Sequence, residues 1–359
     1  MTHLLRTISA GVLISAMSLT GCGDGGQLPA GQAAAQTSSL MRQAKLMQQA
    51  KKKSHCTTPC IYVADELSSS VTIYPLKASG NVVPAGTLSG KHTGLDDVWG
   101  MAFDTAGNIY VANFHGGYGN FGSVTVYPAG SRGDVAPTAT ILSKGSDQVM
   151  VNPSDVALDG AGNIYVPGYK SNSVSVYAPG ANGYATPIRY INGGNTKLAG
   201  PSYLYVTSKG KLYVSNFEGE SVNVYAPGAN GNVAPTQIIS GPKTGITRAT
   251  GVAVDDTGKI YVSNTPPGTP DGCCVTVYDK HANGNVSPIR TIMGGVTGLT
   301  APDGIALDAS DNVYVTEYPP NGTPSVTVFA KGANGSVAPI QTIVGSKTGI
   351  DGPAGIAVH

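Results

Sequence analysis

The chain has 359 residues, of which 12% are charged, and a formal net charge of +1. That balance creates no global field to gather nucleic acid or anionic lipid, so no nucleic-acid partner is expected. The 49 Gly and 24 Pro are many for a helical protein; from residue 61 onward they fall at regular places between apolar runs, where they serve as turn chemistry rather than disorder.

Residues 1–21 read as an export signal. Arg6 gives a positive start, Ile8 to Leu19 is an apolar run too short to span a bilayer comfortably, and small residues follow. Leu19-Thr20-Gly21-Cys22 resembles the bacterial lipobox, which implies that Cys22 becomes the lipidated first residue of a protein anchored in the cell envelope. Gly23 after it fits the outer membrane if the host is Gram-negative. Residues 22–59 then form a tether, free of aromatics and rich in Ala, Gln, Ser and Lys. As a flexible coil it would span about 30 to 35 Å. Leu40, Ala44 and Met47 lie at helical spacing before Lys51-Lys52-Lys53, as in a solvated, partly helical linker.

Four further cysteines, Cys56, Cys60, Cys273 and Cys274, are an even number in an exported chain. Cys60 opens the first strand, whereas Cys273 and Cys274 sit at the opposite end of the strands in the fifth repeat. A bridge between the pairs would exceed the roughly 7 Å Cα limit. Cys56 with Cys60 and a vicinal Cys273–Cys274 disulfide are therefore expected, with packed free thiols as the alternative for the second pair.

Residues 60–359 repeat six times. Segments beginning at Ile61, Ile109, Ile164, Leu212, Ile260 and Val313 each open with an apolar-Tyr-Val strand, continue into a strand like Ser123-Val124-Thr125-Val126-Tyr127, and reach a third strand near a Pro-Ile pair. A Gly-rich link then leads to Gly-Ile-Ala-Val-Asp or a variant. The period of about 50 residues and the strand content expect an all-β, six-bladed β-propeller of four-stranded blades. Tyr62, Tyr110, Tyr165, Tyr213, Tyr261 and Tyr314 recur at one position. Tyr74, Tyr127, Tyr177, Tyr225, Tyr278 and Phe329 recur at another, where packing between blades is expected. Asp104, Asp159, Asp255 and Asp308 open short hairpins, and Pro-Gly-Ala-Asn-Gly at 179–183 and 227–231 makes the third-to-fourth strand turn. The first repeat lacks an inner strand, and the chain ends on Pro353-Ala354-Gly355-Ile356-Ala357-Val358-His359, which has no partner of its own. Pairing that C-terminal strand with Ile61 to Asp65 closes the ring.

Pro302-Asp303-Gly304-Ile305-Ala306-Leu307-Asp308, followed by Asn312-Val313-Tyr314-Val315, resembles the NHL-repeat propellers, and the likeness runs through nearly all of 61–359. It implies the fold and leaves the activity open, since such propellers include lyases, lactonases, RNA binders and scaffolds. Pro201-Ser202-Tyr203-Leu204-Tyr205-Val206-Thr207 departs most from the pattern, which puts the inner packing of the fourth blade in question.

Strand direction puts the links into each inner strand, and the loops from second to third strand, on one face, the top. The variable loops 114–122, 265–272 and 318–322 are there, and the opposite turns read as short and uniform. At the top end of the second strands stand Asp65, Asn113, Gly168, Asn216, Asn264 and Glu317. If their oxygens converge near the axis they suit a divalent cation such as calcium. Gluconolactonase-like propellers bind a metal near the axis, so the resemblance implies a metal-dependent lactonase-like hydrolase as one alternative and a structural envelope component as another. Asp96, Asp97 and Trp99 form a top-side acidic and aromatic cluster able to grip a sugar or peptide, and His92 and His115 are the histidines on that face that could share a zinc ion. The leading expectation is a membrane-anchored binding scaffold, acting through its top face on a protein, glycan or small ligand, without catalysis.

Overall fold

The computed structural model divides the chain into two compact units, Met1–Lys53 and Ser54–His359. It describes residues 59–143, 149–265, 274–320 and 322–359, all within the second. The export signal, Cys22, the tether, Cys56, Cys273, Asn321 and nearly all of the 265–272 loop lie outside the described residues.

Six four-stranded antiparallel sheets form the blades. From the inside outward, blade 1 consists of Pro353–Val358, Cys60–Asp65, Ser70–Pro75 and Gly86–Leu88. Blade 2 is Val98–Phe103, Ile109–Asn113, Ser123–Tyr127 and Ala139–Leu142, and blade 3 is Ala157–Leu158, Ile164–Gly168, Ser173–Tyr177 and Arg189–Asn192. Blade 4 is Pro201–Val206, Leu212–Asn216, Ser221–Tyr225 and Gln237–Ser240, and blade 5 is Ala249–Val254, Ile260–Asn264, Cys274–Tyr278 and Arg290–Met293. Pro302–Leu307, Val313–Glu317, Ser325–Phe329 and Gln341–Val344 complete blade 6. The expected seam is present: Ile356 pairs with Val63 and Val358 with Ile61, and beyond them Cys60 and His359 exchange backbone hydrogen bonds of 2.6 and 3.0 Å.

The second and third strands are buried on both sides because each blade is sandwiched between two others. Val124 and Val126 face Ile164, Val166 and Tyr177 of blade 3, whereas Tyr127, on the opposite side of the same strand, packs on Val71, Ile73 and Leu88 of blade 1. The period-two alternation thus assigns one neighbouring blade to each side. Six such apolar clusters, one per blade interface, make up the core. The recurring third-strand Tyr adds a polar tie. Tyr74, Tyr127, Tyr225 and Tyr278 donate their hydroxyls at 2.5 to 2.7 Å to the carbonyls of Thr348, Thr93, Thr196 and Thr244 in the links that enter their blades.

The hairpin aspartates behave as expected, Asp104 Oδ1 accepting from the amides of Ala106 and Asn108 at 2.9 Å each. The third-to-fourth connections differ from expectation: they are straps rather than short turns. Each crosses to the preceding blade, where its Gly forms a parallel bridge to the outer strand; Gly133 meets Leu88, Gly183 meets Ile141, and the series continues to Gly80 against Ile343. The neighbouring Asn side chains extend the tie: Asn182 accepts from the Thr140 amide at 2.9 Å and Asn232 from the Asn195 amide at 2.8 Å. The composition of these segments satisfies backbone groups on an otherwise open outer edge.

Around the axis, the inner strands approach so closely that four blades carry Gly at the same position. A Cβ on Gly304 would lie 2.4 Å from the Ala354 carbonyl, and one on Gly355 would lie 2.2 Å from the Trp99 carbonyl. Gly100 and Gly251 are the other two, and blades 3 and 4 carry Asp155 and Tyr203 instead. Blade 4, whose sequence departs most, keeps a six-residue inner strand with Leu204 and Val206 buried. Blade 3 is the reduced one, with two residues in its inner strand.

Candidate ligand-binding site

Asp65, Asn113, Asn216, Asn264 and Glu317 are all at most 1% exposed. Each points into its own blade and clamps the link that enters it. Asn113 Oδ1 accepts from the Asp96 amide at 3.1 Å, Asn216 Oδ1 from the Ala199 amide at 3.1 Å, and Asn264 Oδ1 from the Thr247 amide at 3.3 Å. Asp65 Oδ1 accepts from the Asp351 amide at 3.1 Å, and Glu317 Oε2 from the amides of Thr300 and Ala301 at 2.8 and 3.0 Å. On the other side, Asn113 Nδ2 donates to Ser123 Oγ and Thr125 Oγ1, and Thr72 Oγ1 donates to Asp65 Oδ2. These side chains are engaged by backbone and neighbouring hydroxyls, except that Glu317 Oε1 is buried and among the described residues has no hydrogen-bond partner. Among the described residues no group of three or more His, Cys, Asp or Glu side chains could hold a metal ion.

Burial pushes the carboxyls of both Asp65 and Glu317 up to about 7, against the partial relief their hydrogen bonds give. Each therefore binds a proton more readily folded than unfolded. The contribution of these two groups to stability is highest below the ordinary carboxylate range near 4, falls as pH rises from about 4 to about 7, and is level above that. Three blades place Asn at this position, so the amide fits. Asp65→Asn is expected to stabilise the fold at pH 8 by on the order of 2 kcal/mol or more, with little change at pH 4. Denaturant unfolding of both proteins at the two pH values checks it, and equal stabilities at pH 8 would contradict it.

Cys274 corrects another expectation: its thiol is free and buried, pushed by burial to about 11. It opens a third strand at the position held by Ser70, Ser123, Ser173, Ser221 and Ser325, and Asn264 Nδ2 lies 3.8 Å from its sulfur. It is thus a packed replacement for a recurring Ser and not half of a vicinal bridge. Cys60 is disulfide-bonded, and Cys56, its expected partner, lies outside the described residues.

Side chains alternate along a strand, so the residues that follow the buried polar ring point away from it, at the top rim of the second strands. They are Glu66, Phe114, Tyr169, Phe217, Thr265 and Tyr318, all partly exposed. At one equivalent position of the inner strands stand Ala354, Trp99, Ser202, Thr250 and Asp303, with Ser154 at the matching place ahead of the short inner strand of blade 3. Five of these twelve residues are aromatic. Trp99 stacks on Phe114 with ring centroids 4.4 Å apart and planes at 14°, Phe114 lies 6.0 Å from Tyr169, and Tyr169 lies 6.4 Å from Phe217. Lys170 sits over Tyr169 at 5.3 Å and Arg248 over Phe217 at 5.6 Å.

Asp97 holds the other end of the arc. One carboxylate oxygen accepts from Trp99 Nε1 at 3.1 Å and the other meets His115 Nδ1 at 2.6 Å. The structure therefore brings together Asp97, Trp99 and His115 of the expected residues. His92 instead pairs with Asp134 at 2.7 Å, so the two histidines serve separate carboxylates rather than a shared zinc ion. Phe114, Tyr169 and Phe217 were missed one position away from the ring of polar residues; their recurrence after the second strand was the available signal.

The remaining sector is acidic. Burial raises the Glu66 carboxyl, with Asp97 adding to the effect, and burial raises Asp303 well above the usual range, with Glu66 and Glu317 adding repulsion. Below them, Tyr203 is 6% exposed and its hydroxyl has no hydrogen-bond partner. Burial raises that hydroxyl well above its usual range, with Asp303, Asp155 and Glu66 adding repulsion. Asp155, pushed up to about 8 by burial, accepts from the Leu204 amide at 3.0 Å. Asp155 and Tyr203 also line an axial cavity of about 460 Å³, together with Asp255, Asp256, Asp308 and Asp311.

No protein-family model matches the sequence, and no curated protein does. Solved structures do match. A protein of unknown function from Bacteroides caccae is 12% identical with a TM-score of 0.55, over 84% of this chain and 99% of that one. A functionally unknown protein from Desulfotomaculum acetoxidans has the same identity and coverages with a TM-score of 0.52. The WD40 β-propeller domain of Doa1 is 10% identical with a TM-score of 0.51, over 80% of each chain. At these identities the likeness establishes the fold: the protein is a six-bladed β-propeller closed by its C-terminal strand.

Proposed function

We propose that this chain is an exported, lipid-anchored, NHL-like propeller that binds a ligand in the bowl at the top of its axis. The observation that carries the reading is the arc of Trp99, Phe114, Tyr169 and Phe217, four half-buried rings from three blades that meet in series at the top ends of the strands. Partly exposed aromatics with a few polar groups converging on them are the usual make-up of a binding site. The metal-dependent hydrolase is not favoured, because each of its proposed ligands is tied to the backbone of the link entering its own blade.

Cys22→Ser is expected to move the protein from the membrane to the soluble exported fraction. Trp99 is the chain's single tryptophan, so its emission reports on the bowl. Titration of the full chain in detergent with envelope glycans, peptides and small organic ions should give a saturable change in emission for at least one class, removed by Tyr169→Ala. Emission unaffected across that panel would contradict the reading.

A further inference from the structure

The bowl is polarised. Its aromatic half spans blades 2 to 4, and facing it across the axis are Glu66 of blade 1 and Asp303 of blade 6. Among the described residues neither acid has an ion-pair partner; burial raises both, with Asp97 adding repulsion at Glu66 and Glu66 adding repulsion at Asp303. The Tyr203 hydroxyl, which Asp303 and Glu66 both repel, is buried and among the described residues has no hydrogen-bond partner, which is costly for a buried hydroxyl. The ring faces at the far end of the arc already carry Lys170 and Arg248. Its Trp99–Phe114 end, beside the Asp97–His115 pair, carries no Lys or Arg over its rings among the described residues.

We propose that the bowl binds a primary ammonium ligand with a planar apolar body, the ammonium held by Glu66 and Asp303 above the Tyr203 hydroxyl and the body laid on Trp99 and Phe114. The chemistry matches at each point. An ammonium has three donors and no acceptor, and the acidic half offers two carboxylates and a hydroxyl oxygen to receive them. Its charge removes the repulsion between the two acids, and the electron-rich face of an indole attracts cations. A metal ion would use the carboxylates but not the aromatic wall. A neutral sugar would use the wall and leave the acids unneutralised. A quaternary ammonium would suit the rings but has no N–H to give the three acceptors.

This inference rests on the top-face binding reading, and the probes separate the two. Phenethylammonium, 2-phenylethanol and phenethyltrimethylammonium are titrated into the full chain in detergent, following Trp99 emission and heat of binding. Phenethylammonium is expected to bind at least about tenfold more tightly than either analogue, because hydrogen bonds to charged groups contribute about 1.5–3 kcal/mol. Asp303→Asn and Glu66→Gln should each weaken it at least about tenfold with the thermal unfolding curve retained, and His281→Ala on the opposite face should leave it unchanged. Equal binding of the alcohol or the trimethyl compound would overturn the ammonium assignment and leave a binding bowl. Binding of phenethylammonium that survives both acid substitutions would overturn the placement. No response to any of the three probes would overturn the proposal, while the wider panel for the top face would still decide whether the bowl binds another class.

Discussion

A chain that ends at Gly352 is expected to lose cooperative folding or to accumulate as aggregate. Without Pro353–Val358, blade 1 keeps three strands and the backbone edge of Cys60–Asp65 opens toward the axis. The truncation removes the ladder from Ile61 to Asp65, the paired bonds between Cys60 and His359, and the burial of Ala354 and Ile356. At about 1 kcal/mol per hydrogen bond and about 2 kcal/mol for the Ile side chain, the loss exceeds roughly 5 kcal/mol, a large part of the 5–15 kcal/mol that holds a typical protein folded. An open edge also invites pairing with a second copy. Calorimetry and size-exclusion chromatography check the result. A synthetic peptide covering 353–359 is expected to restore a monodisperse, cooperatively unfolding species. A truncated chain that melts like the parent would show that the seam contributes little.

Gly355→Val carries the second large effect. Its first added carbon would fall 2.2 Å from the Trp99 carbonyl oxygen and 3.0 Å from the Gly100 Cα, both main-chain atoms of the neighbouring inner strand. No rotamer change relieves that contact, so blades 1 and 2 must separate. Overpacking of this kind costs about 1–3 kcal/mol or more, and main-chain obstruction puts this case at or above about 3 kcal/mol. The displaced residue is Trp99, so its emission should shift with the loss of its stack on Phe114. Gly194→Ala is the matched control, since nothing lies within 4 Å of its added carbon, and it should stay within about 0.5 kcal/mol of the parent. Comparable stabilities for the two variants would contradict the close approach of the inner strands.

Repetition made the architecture legible. A sixfold pattern with one strand missing at the start and one spare at the end has a single economical closure, and the seam through Ile356 and Val63 is that closure. Other features were less visible because they depend on which neighbour a residue meets. The strap at 179–183 carries the composition of a turn, and its amide and Asn side chain act on another blade about 40 residues away in sequence. Tyr203 looked like a break in the inner strand, yet it stands where four other blades need Gly, beside a second exception at Asp155. Cys274 beside Cys273 suggested a bridge, and the alignment of strand starts, all Ser elsewhere, pointed to packing. The ring of Asp65, Asn113, Asn216, Asn264 and Glu317 was correctly seen as a recurrent polar position and given the wrong direction. Period-two geometry fixes that adjacent residues oppose each other; which of the two meets the axis depends on how the strand sits in the blade.

Asn113 and its neighbour Phe114 isolate that difference within one strand. The most direct measurement of the account compares Asn113→Ala and Phe114→Ala by denaturant unfolding and by Trp99 emission. Asn113→Ala should lose about 1–3 kcal/mol, because the Asp96 amide loses its acceptor and the hydroxyls of Ser123 and Thr125 lose a buried partner, with Trp99 emission as in the parent. Phe114→Ala should uncover the stacked face of Trp99, shifting its emission to longer wavelength, with a smaller loss of stability. The reverse pattern, with emission altered by Asn113→Ala and untouched by Phe114→Ala, would mean that the polar ring faces the axis and the aromatic arc does not form the site.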